Sequence, residues 1–286
     1  MTLPEPFLRD LAELVKHFLR SKGSVSLKVA DQLVGRAGRL SHVIPAAKPY
    51  AGMLYAALAA ARSAASANMR EAPPGRVAIR RFRVAAAWLH ALLKGEDDTI
   101  VPLHTDVFSS PPPPPSQHVL ALEFDASPWG GGAVLWKEGR PVEWWSVVWD
   151  PDQVRPISRH ISVGEEAWQT FWELLALALA VDMWATPFTP LSILGDNTGA
   201  LQIALTGGGK TPEMLAISRE LAWRKARRNL QLGAGHLPTE ANSLADALSR
   251  LCAVEAKQIP RELQSLPQLP APDVSAFWVA ARPPQL

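Results

Sequence analysis

Four acidic residues in the second half of the 286-residue chain have apolar neighbourhoods. Asp125 lies inside a hydrophobic segment, Glu173 precedes the run LLALALA, and Asp196 follows LSILG; Asp246 lies in ANSLADALSRL. An ionised carboxylate in such surroundings is costly unless it is paired or bound to a metal, and converging carboxylates repel one another. Divalent cations would remove that conflict.

The donor types indicate which ion would bind. Oxygen ligands with few histidines favour magnesium or manganese over zinc. The single cysteine, Cys252, excludes a disulfide framework and a cysteine-based zinc site. The alternative for any one of these acids is a helix cap or a turn residue, and an isolated Asp is more often that. Four acids in this ordered context favour a metal site.

The hydrophobic pattern predicts the elements that must position the four acids. Strands are expected at 118–127, 129–139, 141–149, 191–196 and 229–236. Helices are expected at 164–185, near Asn197, at 213–229 and at 241–251. The order βββαβααβα predicts an α/β layered domain built on a mixed sheet.

The first part of the chain has a different composition. Helix-like segments occupy 7–20, 26–42, 48–69 and 77–94, and the run SSPPPPPSQ follows at 109–117. Such a run favours an extended spacer, although it could bind a partner. We therefore predict a small, mostly helical module at 1–105, a linker at 106–117, an α/β domain at 118–252 and a Pro-rich extended tail at 253–286.

The two modules differ in charge. Residues 1–105 carry 15 Lys and Arg against 8 Asp and Glu, whereas residues 106–252 carry 11 against 16. A basic module could bind phosphates, or its charges could simply solvate helix faces. The N-terminus lacks the pattern of a signal peptide and no apolar run could span a bilayer, so we expect an intracellular protein without a membrane partner.

The sequence around the acids resembles the ribonuclease H family. DASPWGGGAVL at 125–135 looks like its first hairpin, ELLALALA at 173–180 like its first helix, and GDNTGAL at 195–201 like its fourth strand and the following turn. HLPTEANSLADALSRL at 236–251 looks like its closing His, Asn and Asp motif.

A narrower resemblance covers roughly residues 8–252. RHISVGEEAWQTFWELLAL, GGGKTPEM and NSLADALSRL are similar to reverse transcriptases of DIRS-like, tyrosine-recombinase retroelements. The N-terminal module looks like the thumb and connection region that precedes ribonuclease H there. No aromatic-x-Asp-Asp strand of a polymerase palm is present, and Asp97-Asp98 follow a helix, so polymerase activity is not expected.

The resemblance implies hydrolysis of the RNA strand of RNA–DNA hybrids by two Mg²⁺ or Mn²⁺ ions. It implies that Asp125 bridges both ions, that Glu173 and Asp196 complete one ion's shell, and that Asp246 serves the other. His236 would assist proton movement or product release, or would be a strand-end hydrogen-bonding residue. Glu173, rather than Glu165 or Glu166, precedes the family's LLALAL pattern.

Further residues are candidates for nucleic-acid contacts. Polar groups near Ser127, Asn197 and Asn242 could contact 2′-hydroxyls. A basic cluster could hold phosphates or be a solvated helix face; it comprises Arg219, Arg224, Lys225, Arg227 and Arg228.

Three alternatives remain at the level of sequence. GGGKT at 207–211 suggests a phosphate-binding loop, but Ala204 stands where the first glycine is required. The chain could be a catalytically silent scaffold or nucleic-acid-binding subunit of a larger assembly. It could also be the end of a longer polyprotein, whose N-terminal module packs on a polymerase domain.

Overall fold

The computed structural model describes residues 3–67, 71–94, 120–158, 160–186, 190–228 and 230–275, and of Arg227 only the backbone. The described residues fall into two compact units, 3–94 and 120–275, each with its own core. Within these ranges, no helix combines the length and the apolar character needed to cross a membrane.

The N-terminal unit consists of four helices and a two-stranded antiparallel sheet. Its elements are α1 (Glu5–Arg20), β1 (Ser24–Ser26), α2 (Leu27–Val43), α3 (Lys48–Ser66), β2 (Arg76–Ala78) and α4 (Arg83–Leu93). The apolar stripe of α1 packs inward, and the rings of Phe18 and Phe82 lie 5.7 Å apart. A stripe of this kind is what makes an amphipathic helix pack on a core.

The second unit contains a mixed five-stranded sheet in the order β5-β4-β3-β6-β7. The strands are β3 (Leu120–Ala126), β4 (Gly130–Lys137), β5 (Arg140–Val148), β6 (Pro190–Gly195) and β7 (Gln231–His236). Strands β3, β4 and β5 form an antiparallel meander, whereas β6 and β7 run parallel to β3. The carboxyl ends of β3, β6 and β7 therefore meet at one edge of the sheet.

Helices cover both faces of this sheet. They are α5 (Pro151–Val154), α6 (Gln169–Trp184), α7 (Thr198–Thr206), α8 (Pro212–Arg228), α9 (Ser243–Ser249) and α10 (Arg261–Gln264). Helix α6 is buried almost all round and packs with Leu122 and Phe124 in the larger core. Leu248 of α9 packs with Val134 and Trp144 in a smaller core.

Residues 256–269, here named the C-terminal strap, lie against β5 and α9. Fully buried Leu263 joins the smaller core, and its carbonyl accepts a hydrogen bond from Trp144 Nε1 at 3.0 Å. The backbone of Trp144 also bonds to Pro267 and Leu269 at 3.2 and 2.8 Å. These contacts order a segment whose sequence suggests only an extended tail.

The predicted α/β fold class is confirmed: the second unit has a mixed five-stranded sheet flanked by helices, and the first unit is mostly helical. The expected helix at 77–94 begins only at Arg83, because 76–78 pairs with 24–26 as a strand. The linker at 106–117, Asp97-Asp98 and residues after 275 lie outside the described residues.

Candidate metal centre

Asp125 lies near the carboxyl end of the central strand β3, opposite Gly132 of β4. Helix α9 crosses this point so closely that a Cβ on Gly132 would lie 2.3 Å from Leu248 Cβ. The glycine therefore allows the last helix to approach the strand that carries Asp125. Within the run GGGAVL, the lack of a side chain at Gly132 thus contributes to the site.

The Asp125 carboxylate is buried and accepts hydrogen bonds from the two ends of α9, namely from Asn242 at its N-cap and from Ser249 at its last position. Ser249 Oγ donates to Oδ2 at 2.5 Å, and Asn242 Nδ2 donates to Oδ1 at 3.3 Å. Burial raises the pKa of Asp125 to about 7; the Ser249 hydrogen bond opposes this shift, and the charges of Asp246 and Asp196 add to it. Asp125 thus bears a destabilised negative charge that a cation would stabilise.

Glu173 comes from the first turns of α6 and is 2% exposed. Gln169, one turn earlier, donates to its Oε1 at 2.9 Å and to the carbonyl of Ala126 at 2.6 Å. The other carboxylate oxygen of Glu173, Oε2, has no hydrogen-bond partner within the described residues. Burial, followed by the charge of Asp125, raises the pKa of Glu173 well above its ordinary value.

Asp196 follows β6 directly and is partly exposed, with Thr239 Oγ1 donating to its Oδ2 at 3.1 Å. One oxygen each from Asp125, Glu173 and Asp196 lies within 4.8 Å of the other two. Around a Mg²⁺ ion with bonds of about 2.1 Å, ligand oxygens lie roughly 3 Å apart when adjacent and roughly 4.2 Å apart when opposite. A small contraction would therefore let these oxygens coordinate one ion, and the orphaned Glu173 oxygen supports that fit.

Asp246, on α9, is in a different situation. Arg250 Nε donates to its Oδ1 at 2.7 Å, and the Lys257 ammonium contacts its Oδ2. Although burial raises the pKa of Asp246, the hydrogen bonds from Lys257 and Arg250 lower it more, so the pKa lies below its ordinary value. Asp246 is thus an already paired carboxylate, whereas no ion pair is found for the other three acids among the residues that the structure describes.

Comparisons with known proteins add little to this geometry. No known family profile matches the chain, and no curated protein matches it. Among solved structures, that of the foamy viral protease-reverse transcriptase dRH in complex with ds DNA aligns with 83% of this chain at 16% identity and a TM-score of 0.25. This chain spans 35% of that protein's length. A similarity at this level supports no assignment of site or activity.

The other candidate residues differ in what their side chains do. His236 is exposed at the end of β7, in register with Gly195 beside Asp196. Asn197 caps α7 by accepting from Ala200 N at 3.0 Å. Ser127 is buried and donates to the carbonyl of Ser249 at 2.7 Å. Asn242 is fully buried beside Asp125, and its Oδ1 lacks a partner within the described residues.

The predicted basic cluster is largely engaged within the fold. Arg224 is 4% exposed and pairs with Asp182 and Glu220, and Arg228 also pairs with Asp182. Lys225 donates to the carbonyls of Ala204 and Leu205 at the end of α7, and burial lowers its pKa to about 8. Arg219 is partly exposed, and the Arg227 side chain is outside the described set.

Several residues of the centre were not predicted from sequence. Ser249 and Arg250 lie three and four positions after Asp246, a helical spacing that places them near its face and could have suggested their role. Gln169 precedes Glu173 by four positions in the same way. Lys257 has no such local signal, because the strap brings it to Asp246 through tertiary packing.

Proposed function

We propose that this protein is a metal-dependent endonuclease that hydrolyses the RNA strand of RNA–DNA hybrids. The observation that supports this proposal is the convergence of Asp125, Glu173 and Asp196, carried by β3, α6 and the end of β6. Glu173 Oε2 is buried and has no hydrogen-bond partner among the residues that the structure describes, which is difficult to explain in a purely structural cluster. Because β3 and β6 are adjacent and parallel, their carboxyl ends bring Asp125 and Asp196 to the same edge of the sheet.

The three carboxylates would hold one Mg²⁺ or Mn²⁺ ion, and Asp246 would be a ligand of a second ion. The bound metal would activate water and neutralise charge on the phosphate. Asn242 and Ser249 fix the orientation of Asp125, whereas Gln169 fixes Glu173. His236, exposed at the same sheet edge, is proposed to accept or deliver a proton during product release.

The proposed partner is a hybrid duplex held mainly through its phosphates. In the N-terminal unit, the exposed Lys22 and Arg83 lie around an open groove that also contains the ion pair of Arg80 with Glu71. The two cations outside that pair favour a polyanionic partner. We also propose that this region derives from a DIRS-like reverse transcriptase. Its N-terminal module would then contact a polymerase domain or a larger nucleoprotein assembly.

The test is cleavage of a hybrid whose RNA strand is labelled, with Mg²⁺ or Mn²⁺, by the full chain. The expected result is metal-dependent cutting of the RNA strand, with duplex DNA left intact. Asp125→Asn and Asp196→Asn should each lose activity by at least about 100-fold, because each removes a metal ligand.

A matched control is Asp152→Asn. Asp152 is an exposed carboxylate on α5 outside the acidic group, so this variant should cleave at the native rate. Absence of cutting by folded native protein, or equal cutting by native protein and Asp125→Asn, would refute the proposal.

A non-catalytic scaffold or nucleic-acid-binding subunit is the second candidate. The observation that favours it is the pairing of Asp246 with Arg250 and Lys257, which occupies a carboxylate that the two-ion reaction would use. A folded chain that binds the hybrid without cutting it, under all divalent ions tried, would support this candidate instead.

A further inference from the structure

The surroundings of Asp246 suggest how many divalent ions the free protein binds, an inference that rests on the proposed function. Arg250 and Lys257 contact separate oxygens of Asp246, so both oxygens already have a cationic partner. The Asp246 side chain is 16% exposed, whereas the Lys257 side chain is 47% exposed. The pair is therefore shielded on the carboxylate side and open to solvent on the lysine side.

Lys257 is held in place by more than its ion pair. Its backbone N–H donates to the carbonyl of Arg250 at 3.2 Å, which joins the strap to the end of α9. Six residues later, fully buried Leu263 anchors the strap in the core that also contains Leu248. The backbone that carries the ammonium group is thus held by a hydrogen bond to the end of α9 and by the buried anchor at Leu263.

The charges of the centre balance with a single divalent ion. The four carboxylates carry four negative charges when ionised, and Arg250 and Lys257 supply two positive charges. One divalent ion at Asp125, Glu173 and Asp196 would make the total neutral. A second ion would leave an excess of two positive charges before any phosphate is bound, which is unfavourable in a partly buried site.

We propose that Lys257, carried by the C-terminal strap, is a resident cation of the centre that takes the place of a second divalent ion at Asp246 in the free protein. The free protein accordingly binds one divalent ion, at Asp125, Glu173 and Asp196. Arg250 supports the same arrangement from within α9. Lys257 is a positioning residue in this scheme, because it acts through Asp246.

The test is calorimetry of Mn²⁺ binding to the full chain without nucleic acid. Native protein should bind one ion. Lys257→Met should gain a second binding event or strengthen it by about tenfold, because Asp246 loses one of its two cations. Lys257→Arg should behave like native protein, since it keeps the charge on the strap.

Two further variants locate the effect. Adding Asp246→Asn to Lys257→Met should remove the second event. Lys137→Met deletes an exposed lysine that pairs with Arg140 at the last position of β4, seven residues after Gly130, and should leave metal binding unchanged. Native protein that binds two ions, or Lys257→Met that binds like native protein, would overturn the proposal. Because no substrate is present, these results are independent of whether the hybrid is cleaved.

Discussion

The hydroxyl of Ser249 donates to Oδ2 of Asp125 at 2.5 Å across 124 positions of sequence, joining the last turn of α9 to the central strand. Ser249 also receives, at its carbonyl, the hydrogen bond from Ser127 Oγ. A short hydrogen bond to an ionised acceptor is among the stronger ones in proteins. The orientation of the central carboxylate therefore depends on the position of the last helix.

Replacing Ser249 with Ala should weaken metal binding. The Ser249 hydrogen bond lowers the pKa of Asp125, so its loss should raise that pKa and make protons compete better with the metal. We expect metal affinity at neutral pH to fall by about tenfold and its pH dependence to move to higher pH. Calorimetry at several pH values measures both changes.

The control for this variant is Ser218→Ala. Ser218 is 1% exposed on α8, and its Oγ has no hydrogen-bond partner within the described residues. Its replacement should leave metal binding unchanged. If Ser249→Ala and Ser218→Ala weaken metal binding equally, the effect comes from the packing of buried serines and not from the hydrogen bond to Asp125.

Asp125→Asn should stabilise the metal-free protein at alkaline pH. The folded-state pKa of about 7 lies above the ordinary 3.8, so this carboxyl favours the folded state most below about pH 4. That contribution is lost as the pH rises through about 7, where the buried group must ionise. We therefore expect the variant to exceed native protein by roughly 2–4 kcal/mol in free energy of unfolding at about pH 8.

This difference should shrink as the pH falls towards about 4. Tryptophan fluorescence during chemical unfolding is a suitable measurement, since nine of the 11 tryptophans lie between Trp129 and Trp223. A stability difference that does not change with pH would contradict the expected burial of an ionising carboxyl. Saturating Mn²⁺ should reverse the order, because it binds the native centre better.

Gly132→Ala should disturb the centre without removing any functional group. Its new Cβ would lie 2.3 Å from Leu248 Cβ and 3.0 Å from Ser249 N, so α9 must move away from β4. Overpacking of this kind costs about 1–3 kcal/mol. We expect lower stability together with weaker metal binding, measured by unfolding and calorimetry.

Gly233→Ala is the matched control on β7. A Cβ at Gly233 would meet only Ser192 Oγ at 3.8 Å, an ordinary contact. Its stability and metal affinity should stay close to native values. Native-like stability and metal affinity of Gly132→Ala would show that α9 approaches β4 less closely than these distances require.

Arg224→Met should destabilise the fold rather than weaken binding to nucleic acid. Arg224 Nε pairs with Asp182 at 2.5 Å, and its Nη1 pairs with Glu220 at 3.1 Å. Burial raises the pKa of Glu220 to about 8 even though the Arg224 charge opposes this shift. Breaking a buried pair costs about 3–5 kcal/mol, so the free energy of unfolding should fall by that order.

The salt dependence of hybrid binding distinguishes a structural role of Arg224 from a contact with phosphate. Arg224→Met should keep the native dependence of hybrid affinity on salt concentration. A buried guanidinium contacts no phosphate and therefore displaces no counterion from the duplex. Arg140→Met is the control, because Arg140 is exposed and its replacement should change the free energy of unfolding little. A reduced slope for Arg224→Met would instead assign it a phosphate contact.

The sequence by itself determined the order of the five strands and of the helices α6 to α9 in the second unit, but not the short helices α5 and α10. It also placed Asp125 and Asp196 at strands and Glu173 on a helix. Hydrophobic periodicity is local, so it marks strands and helices without knowledge of the fold. It failed at residues 76–78, where pairing with the distant segment 24–26 overrides a helical pattern. The domain limits and the individual roles of the acids stay predictions.

Only the tertiary structure decided which charges meet. Residue type and spacing do not distinguish the four carboxylates, and only the family resemblance set Asp246 apart. In the structure, oxygens of the other three lie within 4.8 Å of one another, and Asp246 is paired with Arg250 and Lys257. Likewise, a basic cluster that could have faced solvent is partly buried around Asp182. Electrostatic partners depend on distances and burial that long-range packing creates, and residue spacing along the chain does not encode these directly.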